Sequence, residues 1–298
     1  MITRRLFSAA TCGGFFGTVA AGRAGLARSA GGLSGRLAGD LAKLEAESGG
    51  RLGVAVIDTA SGIQVGHRID ERFLMCSTFK LLAAAAVLAR VDAGKEKLDR
   101  RIRFESGDIL PYSPATKDRV GGMGMSLAEL CEAAMVLSDN TAVNLMIATF
   151  GGPPGLTAYV RSLGDTVTRH DRSEPGLNDA DGVLDTTTPA AMAANIRTLV
   201  LGTALSEASR QQLTAWMIGN KTGDTRLRAG LPRDWRIGEK TGSGKGTSND
   251  IGLGWPPGRA PVIMAVYLTG TSASAERQHA TIAGVGRAVA AALEPLAR

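Results

Sequence analysis

Ser77-Thr-Phe-Lys-Leu-Leu-Ala-Ala-Ala-Ala-Val-Leu-Ala-Arg-Val91 is the stretch from which the rest of the chain can be read. It is rich in the strong helix formers Ala and Leu. It turns polar at Arg90 and Asp92, well short of the roughly 18 apolar residues a membrane span needs. The segment therefore predicts a buried helix of a globular domain. Ser77 stands at its start, where the positive end of the helix dipole favours a negatively polarised oxygen, and Lys80 follows one turn later on the same side.

Towards the C-terminus, helical apolar spacing recurs at Ser126 to Met135, Thr141 to Thr149, Leu156 to Leu163, Pro189 to Leu201 and Ser206 to Met217. Strand patterns bracket this block. Leu52 to Asp58, a turn at Thr59 to Gly62 and Ile63 to His67 predict an opening hairpin. Arg236 to Lys240, Asp250 to Trp255 and Val262 to Leu268 predict later strands. Leu37, Leu41 and Leu44 mark an N-terminal amphipathic helix. Ile282, Val285, Val289 and Leu293 mark a final one. The fold class expected is α/β: an antiparallel sheet flanked by the terminal helices, with an all-helical domain inserted into it. The divisions expected are residues 32–73 and 222–298 for the α/β domain and 74–221 for the helical one, with a cleft between them.

The first residues carry Arg4-Arg5 ahead of a weakly apolar Gly/Ala-rich run, the pattern of a twin-arginine export signal over residues 1–31 and hence of a periplasmic destination. Cys12 lacks the upstream apolar run of a lipoprotein anchor. The net charge of +6 comes largely from this leader: removing Arg4, Arg5, Arg23 and Arg28 leaves 30 basic residues against 28 acidic ones. With no basic cluster interleaved with aromatics, nucleic acid is not an expected partner. No membrane partner is expected after leader cleavage, and a monomer is expected. Cys76 and Cys131 could pair in an oxidising compartment, but they read as two buried free thiols.

Several chemistries lack their residues. The chain has three histidines, His67, His170 and His279, and no G-x-S-x-G turn, so a histidine-assisted serine has little to build on; His170 beside Asp171 reads as a surface pair. No paired Cys/His spacing supports zinc, and no metal or cofactor is expected. Glu239-Lys-Thr-Gly-Ser-Gly-Lys-Gly-Thr247 imitates a phosphate loop, but Glu239 stands where that motif requires glycine. A lysine can replace histidine as the group that activates a hydroxyl when burial and neighbours adjust its proton affinity. Ser77-x-x-Lys80 alone is equally compatible with a helix cap and a solvated lysine.

Downstream of Ser77-x-x-Lys80 come Ser138-Asp-Asn140, Glu174-Pro-Gly-Leu-Asn178 and Lys240-Thr-Gly242. This ordered set resembles the class A serine β-lactamases over the whole chain beyond the leader. The resemblance implies hydrolysis of small-molecule β-lactams, penicillins and cephalosporins, through an acyl-enzyme on Ser77. The backbone N–H groups of Ser77 and Ser243 would stabilise the oxyanion, and Lys80 and Ser138, with Lys240 beside them, would carry the proton to the leaving nitrogen. Glu174 and Asn178 would hold the deacylating water. Arg172 and Asp185 would pin the loop that bears Glu174.

The same resemblance gives Asn140, Thr241, Ser243, Arg226 and Tyr112 to substrate binding, with Arg226 supplying the guanidinium that many relatives place where this chain has Asn249. The chain departs from relatives in a shorter Asn178 to Asp185 segment. Gly244 and Ala84 stand where certain relatives place the disulfide partners of Cys76 and Cys131, so no disulfide and no carbapenem hydrolysis are expected. A D,D-peptidase shares most of these motifs but has no need of Glu174 with Asn178. A single-turnover β-lactam sensor would want a membrane segment, and a plain exported binding protein would not react with β-lactams at all.

Overall fold

The computed structural model describes residue 35 and residues 37–294; the twin-arginine leader lies outside the described residues. Helix α1 (37–48) leads into β1 (Arg51–Asp58) and β2 (Ile63–His67), then β3 (Phe73–Leu74) and α2 (Phe79–Asp92). Next come the short β4 (Arg101–Ile102) and β5 (Met125–Ser126), and the helices α3 (Leu127–Val136), α4 (Asn140–Ala148) and α5 (Gly152–Ser162). The two-residue β6 (Thr186–Thr187) precedes α6 (Pro189–Ile196), α7 (Glu207–Ile218) and the single turn α8 (Leu227–Gly230). The chain closes with β7 (Arg236–Gly244), β8 (Thr247–Trp255), β9 (Val262–Thr269) and α9 (Ala275–Leu293).

Five strands form one antiparallel sheet in the order β2-β1-β9-β8-β7. Alternation along β1 and β9 sends their side chains into two different cores. Val54, Val56, Val262, Met264, Val266 and Leu268 pack with Leu37, Leu41, Ile282, Val285 and Val289 of the terminal helices. On the opposite face Ala55, Ile57, Ile263, Ala265 and Tyr267 join the larger core of α2 to α7. The sheet is therefore covered on both sides, which is why its central strands read as nearly unbroken apolar runs.

Helix α2 lies at the centre of the larger core, with every residue from Phe79 to Leu88 buried. The short alanines let other helices approach it closely, and each buried Leu or Val adds about 1.5–3 kcal/mol of apolar stabilisation. The flanking helices start where the sequence supplies a cap. Ser126 and Glu129 form a reciprocal capping box on α3, and Thr188, Ser206 and Ser274 cap α6, α7 and α9.

Some expected boundaries shift, among them the starts of α5, at Gly152 rather than Leu156, and of β8, at Thr247 rather than Asp250. The strand expected to end at Lys240 runs on to Gly244, because its hairpin with β8 pairs residue for residue through Gly244 and Thr247. The helix expected through Leu201 ends at Ile196 and continues as a π-turn, Arg197–Leu201.

Candidate active site

A tight turn precedes α2. Cys76 takes a positive φ of 44° and a 3-10 turn spans Cys76–Thr78, which turns Ser77 out toward the edge strand β7. The carbonyls of Leu74 and Met75 accept from Asn249 Nδ2 at 2.9 and 3.0 Å, so the turn is tied directly to β8. β7 comes close because residue 242 is glycine: a Cβ there would stand 2.8 Å from Met75 O and 3.2 Å from Cys76 Cβ.

One helical turn on, Lys80 is completely buried. Its Nζ donates to Asn140 Oδ1 at 2.6 Å and Ser138 O at 2.8 Å, reaches Ser138 Oγ at 3.4 Å, and lies 3.2 Å from Glu174 Oε1. Burial pushes its pKa below the ordinary lysine value, and the Glu174 carboxylate opposes the shift. Lys80 is thus placed to exchange a proton with either neighbour.

Ser138 also has a positive φ, 61°, and projects its hydroxyl between two ammonium groups: Lys240 Nζ donates to Ser138 Oγ at 3.0 Å. Lys240 is completely buried, and its pKa is pushed well down by burial first and then by the Lys80 and Arg226 charges. Asp139, between the two functional members of its motif, faces away from the cleft. It caps α4 by accepting from Ala142 N at 2.8 Å and gathers the N–H groups of Ala115 and Thr116. That capping sets where Asn140 begins the helix. Asn140 donates to Pro111 O at 2.9 Å and so steadies the segment bearing Tyr112, which is 61% exposed at the mouth.

Glu174 arrives on an irregular segment rather than a helix or strand. Its Oε1 accepts from Ser77 Oγ at 3.3 Å and its Oε2 from Asn178 Nδ2 at 2.6 Å. Asn144, one turn into α4 from Asn140, holds the backbone on either side: its Nδ2 donates to Glu174 O at 2.9 Å and its Oδ1 accepts from Glu174 N at 3.1 Å. The peptide bond from Glu174 to Pro175 is cis. Fully buried Asp185 accepts from Arg172 Nε at 2.6 Å and from the backbone N–H groups of Asp171 and Arg172 at 2.8 and 3.0 Å. Arg172 then reaches Asp179 O at 2.6 Å, closing the loop on itself.

On the other wall, Arg226 donates to Ser243 Oγ at 2.6 Å, and to the carbonyls of Gly242 and Asn249 at 2.8 and 2.6 Å. Thr222 and Thr241 share a short hydroxyl hydrogen bond. Beneath them lies a buried carboxyl pair. Asp250 Oδ2 accepts from Leu227 N at 3.0 Å and Glu239 Oε1 from Arg228 Nε at 3.0 Å, while Glu239 Oε2 and Asp250 Oδ1 are buried and meet no N–H donor. Burial raises both carboxyls, that of Asp250 well above its usual value with the Glu239 charge adding to the shift. Gly223 leaves the room they need: a Cβ there would meet Glu239 Oε1.

Together these residues line a cavity of about 510 Å³ that contains Ser77, Tyr112, Ser138, Asn140, Asn178, Thr222, Arg226, Thr241, Gly242 and Ser243, with Lys221 at its rim. Lys80, Glu174 and Lys240 stand behind the wall, and Arg172 and Asp185 lie in the loop that carries Glu174. The expected surface pair of His170 and Asp171 is corrected: His170 is 3% exposed and stacks on Phe79, while Asp171 pairs with Arg169 at 2.6 Å. Cys76 and Cys131 are buried free thiols, and burial with the Glu174 charge raises Cys76 to about 12. Asn144 and the Glu239–Asp250 pair were not anticipated. An asparagine inside an otherwise apolar helix run was the available sign of the first, since such a side chain weakens a helix unless it bonds elsewhere.

A serine hydroxyl at a helix start, a buried lysine one turn on and a second cation bridged by another serine hydroxyl form an arrangement chemically able to activate a hydroxyl without histidine. A model of the β-lactamase enzyme family matches residues 36–293. The chain is 50% identical over 244 residues to Beta-lactamase CTX-M-8 of Citrobacter amalonaticus, spanning 81% of this chain and 84% of that one. It is also 50% identical over 242 residues to Beta-lactamase L2 of Stenotrophomonas maltophilia, spanning 80% of each. Among solved structures, an ancestral class A β-lactamase (GNCA) superposes with a TM-score of 0.85 at 62% identity, covering 86% of this chain and all of that one. The chain belongs to the class A serine β-lactamases.

Proposed function

We propose that the chain opens the β-lactam ring of penicillins and cephalosporins through an acyl-enzyme on Ser77 and releases it with a water activated by Glu174. Ser77 Oγ adds to the lactam carbonyl and loses its proton to Glu174, whose Oε1 lies 3.3 Å away, or to Lys80 one helical turn on. The developing oxyanion is taken by the backbone N–H groups of Ser77 and Ser243, where one such donor is worth about 3 kcal/mol. Ring opening delivers a proton to the lactam nitrogen from Ser138, which Lys80 and Lys240 polarise. Asn140 receives the drug's amide side chain, Thr241, Ser243 and Arg226 its carboxylate, and Tyr112 walls the mouth.

The observation that carries this reading is the double engagement of Glu174. One oxygen faces Ser77 and the other is held by Asn178 at 2.6 Å. A water in that position meets the ester with a base behind it, a contribution of about 10²- to 10⁴-fold. An enzyme that kept its acyl group would need neither residue there. Export by the twin-arginine leader and action as a monomer complete the proposal; among the described residues no helix is long and apolar enough to cross a membrane.

The test follows ring opening of benzylpenicillin and a chromogenic cephalosporin, with intact mass spectra of the wild type and Glu174→Asn during turnover. Multiple turnovers by the wild type and a persistent Ser77 adduct in the variant are expected. A persistent adduct in the wild type would make the protein a peptidase or sensor, and no adduct with either drug would overturn serine acylation.

A further inference from the structure

His170 is a buried titratable side chain that the proposed chemistry leaves unused. Its ring stacks on Phe79, the residue before Lys80, with centroids 4.3 Å apart and planes at 23°. Its backbone is clamped to α5, because Thr157 Oγ1 accepts from His170 N at 2.9 Å and donates to His170 O at 2.8 Å. Its Nδ1 lies 3.6 Å from Asp185 Oδ1, beyond hydrogen-bond reach, and neither ring nitrogen has a hydrogen-bond partner. One residue thus joins α2, α5 and the segment that leads to Glu174.

The charged groups around the ring are placed asymmetrically. Its own segment supplies the carboxylates of Asp185, Asp171 and Glu174, with Arg172 and Arg169 already held on Asp185 and Asp171. From α2 comes apolar Phe79, with Lys80 directed to Glu174. From α5 comes uncharged Thr157, while Arg161 is occupied by the carbonyls of Asp165 and Thr168.

We propose that His170 is a positioning residue for deacylation: its uncharged ring spaces the Glu174 segment from α2, and a proton on that ring releases the segment by drawing Asp185 away from its present partners. The proposal rests on the reading of Glu174 given above. Asp185 Oδ1 accepts the N–H groups of Asp171 and Arg172, the bonds that shape the approach to Glu174. A cationic ring 3.6 Å away competes for that oxygen. Burial lowers the ring's pKa from 6.5 to about 4. The unfolded chain takes up this proton first, so the contribution to stability is lost progressively as pH falls from about 6.5 towards 4. Acylation continues while deacylation slows, so kcat and KM fall together.

The experiment measures kcat, KM and the Ser77 adduct with benzylpenicillin between about pH 3 and 7.5, for wild type, His170→Phe and His170→Ala, alongside a histidine NMR titration of the wild type. As pH falls through about 4 the wild type should accumulate adduct, with kcat down about twofold at pH 4 and about tenfold near pH 3. His170→Ala should show lowered kcat and KM already at neutral pH. His170→Phe, which keeps a stacked ring without a proton, should rescue deacylation to within about threefold and extend it to lower pH. The histidine resonance missing from the His170→Phe spectrum should stay neutral down to about pH 5. Superimposable pH profiles for wild type and His170→Phe, or titration of that resonance near 6.5, would overturn the proposal while turnover by the wild type left the β-lactamase reading intact. Absence of wild-type turnover would instead sink that reading. If His170→Ala fails to fold, the phenylalanine variant and the titration still decide.

Discussion

The floor of the cleft and the loop that closes it hold their reactive groups by different means. Ser77 stands on the 3-10 turn that leads into α2, Lys80 on the first turn of α2, and Lys240, Thr241 and Ser243 on β7, so main-chain hydrogen bonds of a helix and a sheet place them. Glu174 has no such support. Its position is the sum of individual side-chain contacts from Asn144, Asp185, Arg172 and Asn178. The floor should therefore tolerate loss of a reactive side chain without losing its shape, whereas the loop should lose shape and chemistry together.

The sharpest break of this contrast is Lys80→Met. It removes the buried amine held by Ser138, Asn140 and Glu174 and should slow acylation by about 10²- to 10⁴-fold in stopped-flow measurements, with far-UV circular dichroism unchanged. On the loop, Asp185→Ala strips the acceptor from Arg172 and from two backbone N–H groups. Breaking a buried charge pair costs about 3–5 kcal/mol, and Arg172 retains 28% side-chain exposure, so a loss of about 2–3 kcal/mol is expected in denaturant unfolding, with slower deacylation. Unchanged deacylation in that variant would mean that Asn144 and Asn178 hold Glu174 unaided.

The smallest effect belongs under the floor. Folding raises the Asp250 carboxyl above its unfolded value, so its contribution is fully present below about pH 4 and is lost as pH rises through the folded value. Asp250→Asn should therefore flatten, by a few degrees, the decline of the thermal midpoint as pH rises above the ordinary carboxylate range. Parallel curves for the two proteins would show that the pair shares no proton.

The same division governs what could be read from the sequence. Helix starts at Ser126 and Ser206 were legible because caps are local chemistry, whereas the last helix was read only from its apolar face and not from its cap at Ser274. The sheet was legible because apolar runs and turns set its strands. The reactive residues came as four ordered motifs, and their expected neighbours, including Arg172 with Asp185, lie together. Long-range partners were not legible. His170 looked like a surface residue because its neighbours in sequence are charged, yet its ring is covered by Phe79, which lies far away along the chain. Glu239 and Asp250 meet only once β7 and β8 are paired, and Lys240 was expected to end a strand that the hairpin carries four residues further.

Strand pairing also sets an order in time. Among the described residues β1 is the first strand, yet it pairs along its whole length with β9, the last of them, as Arg51 with Thr269 and Asp58 with Val262. Contacts between such distant segments form slowly, since a long intervening chain must be gathered before they are made. A growing chain can wind α2, and with it set Ser77 and Lys80 in register, long before Lys240 exists to meet Ser138. Ser77 is thus set early and its cleft late, and a chain halted before β7 would carry Ser77 at the start of a helix with no edge strand to face it.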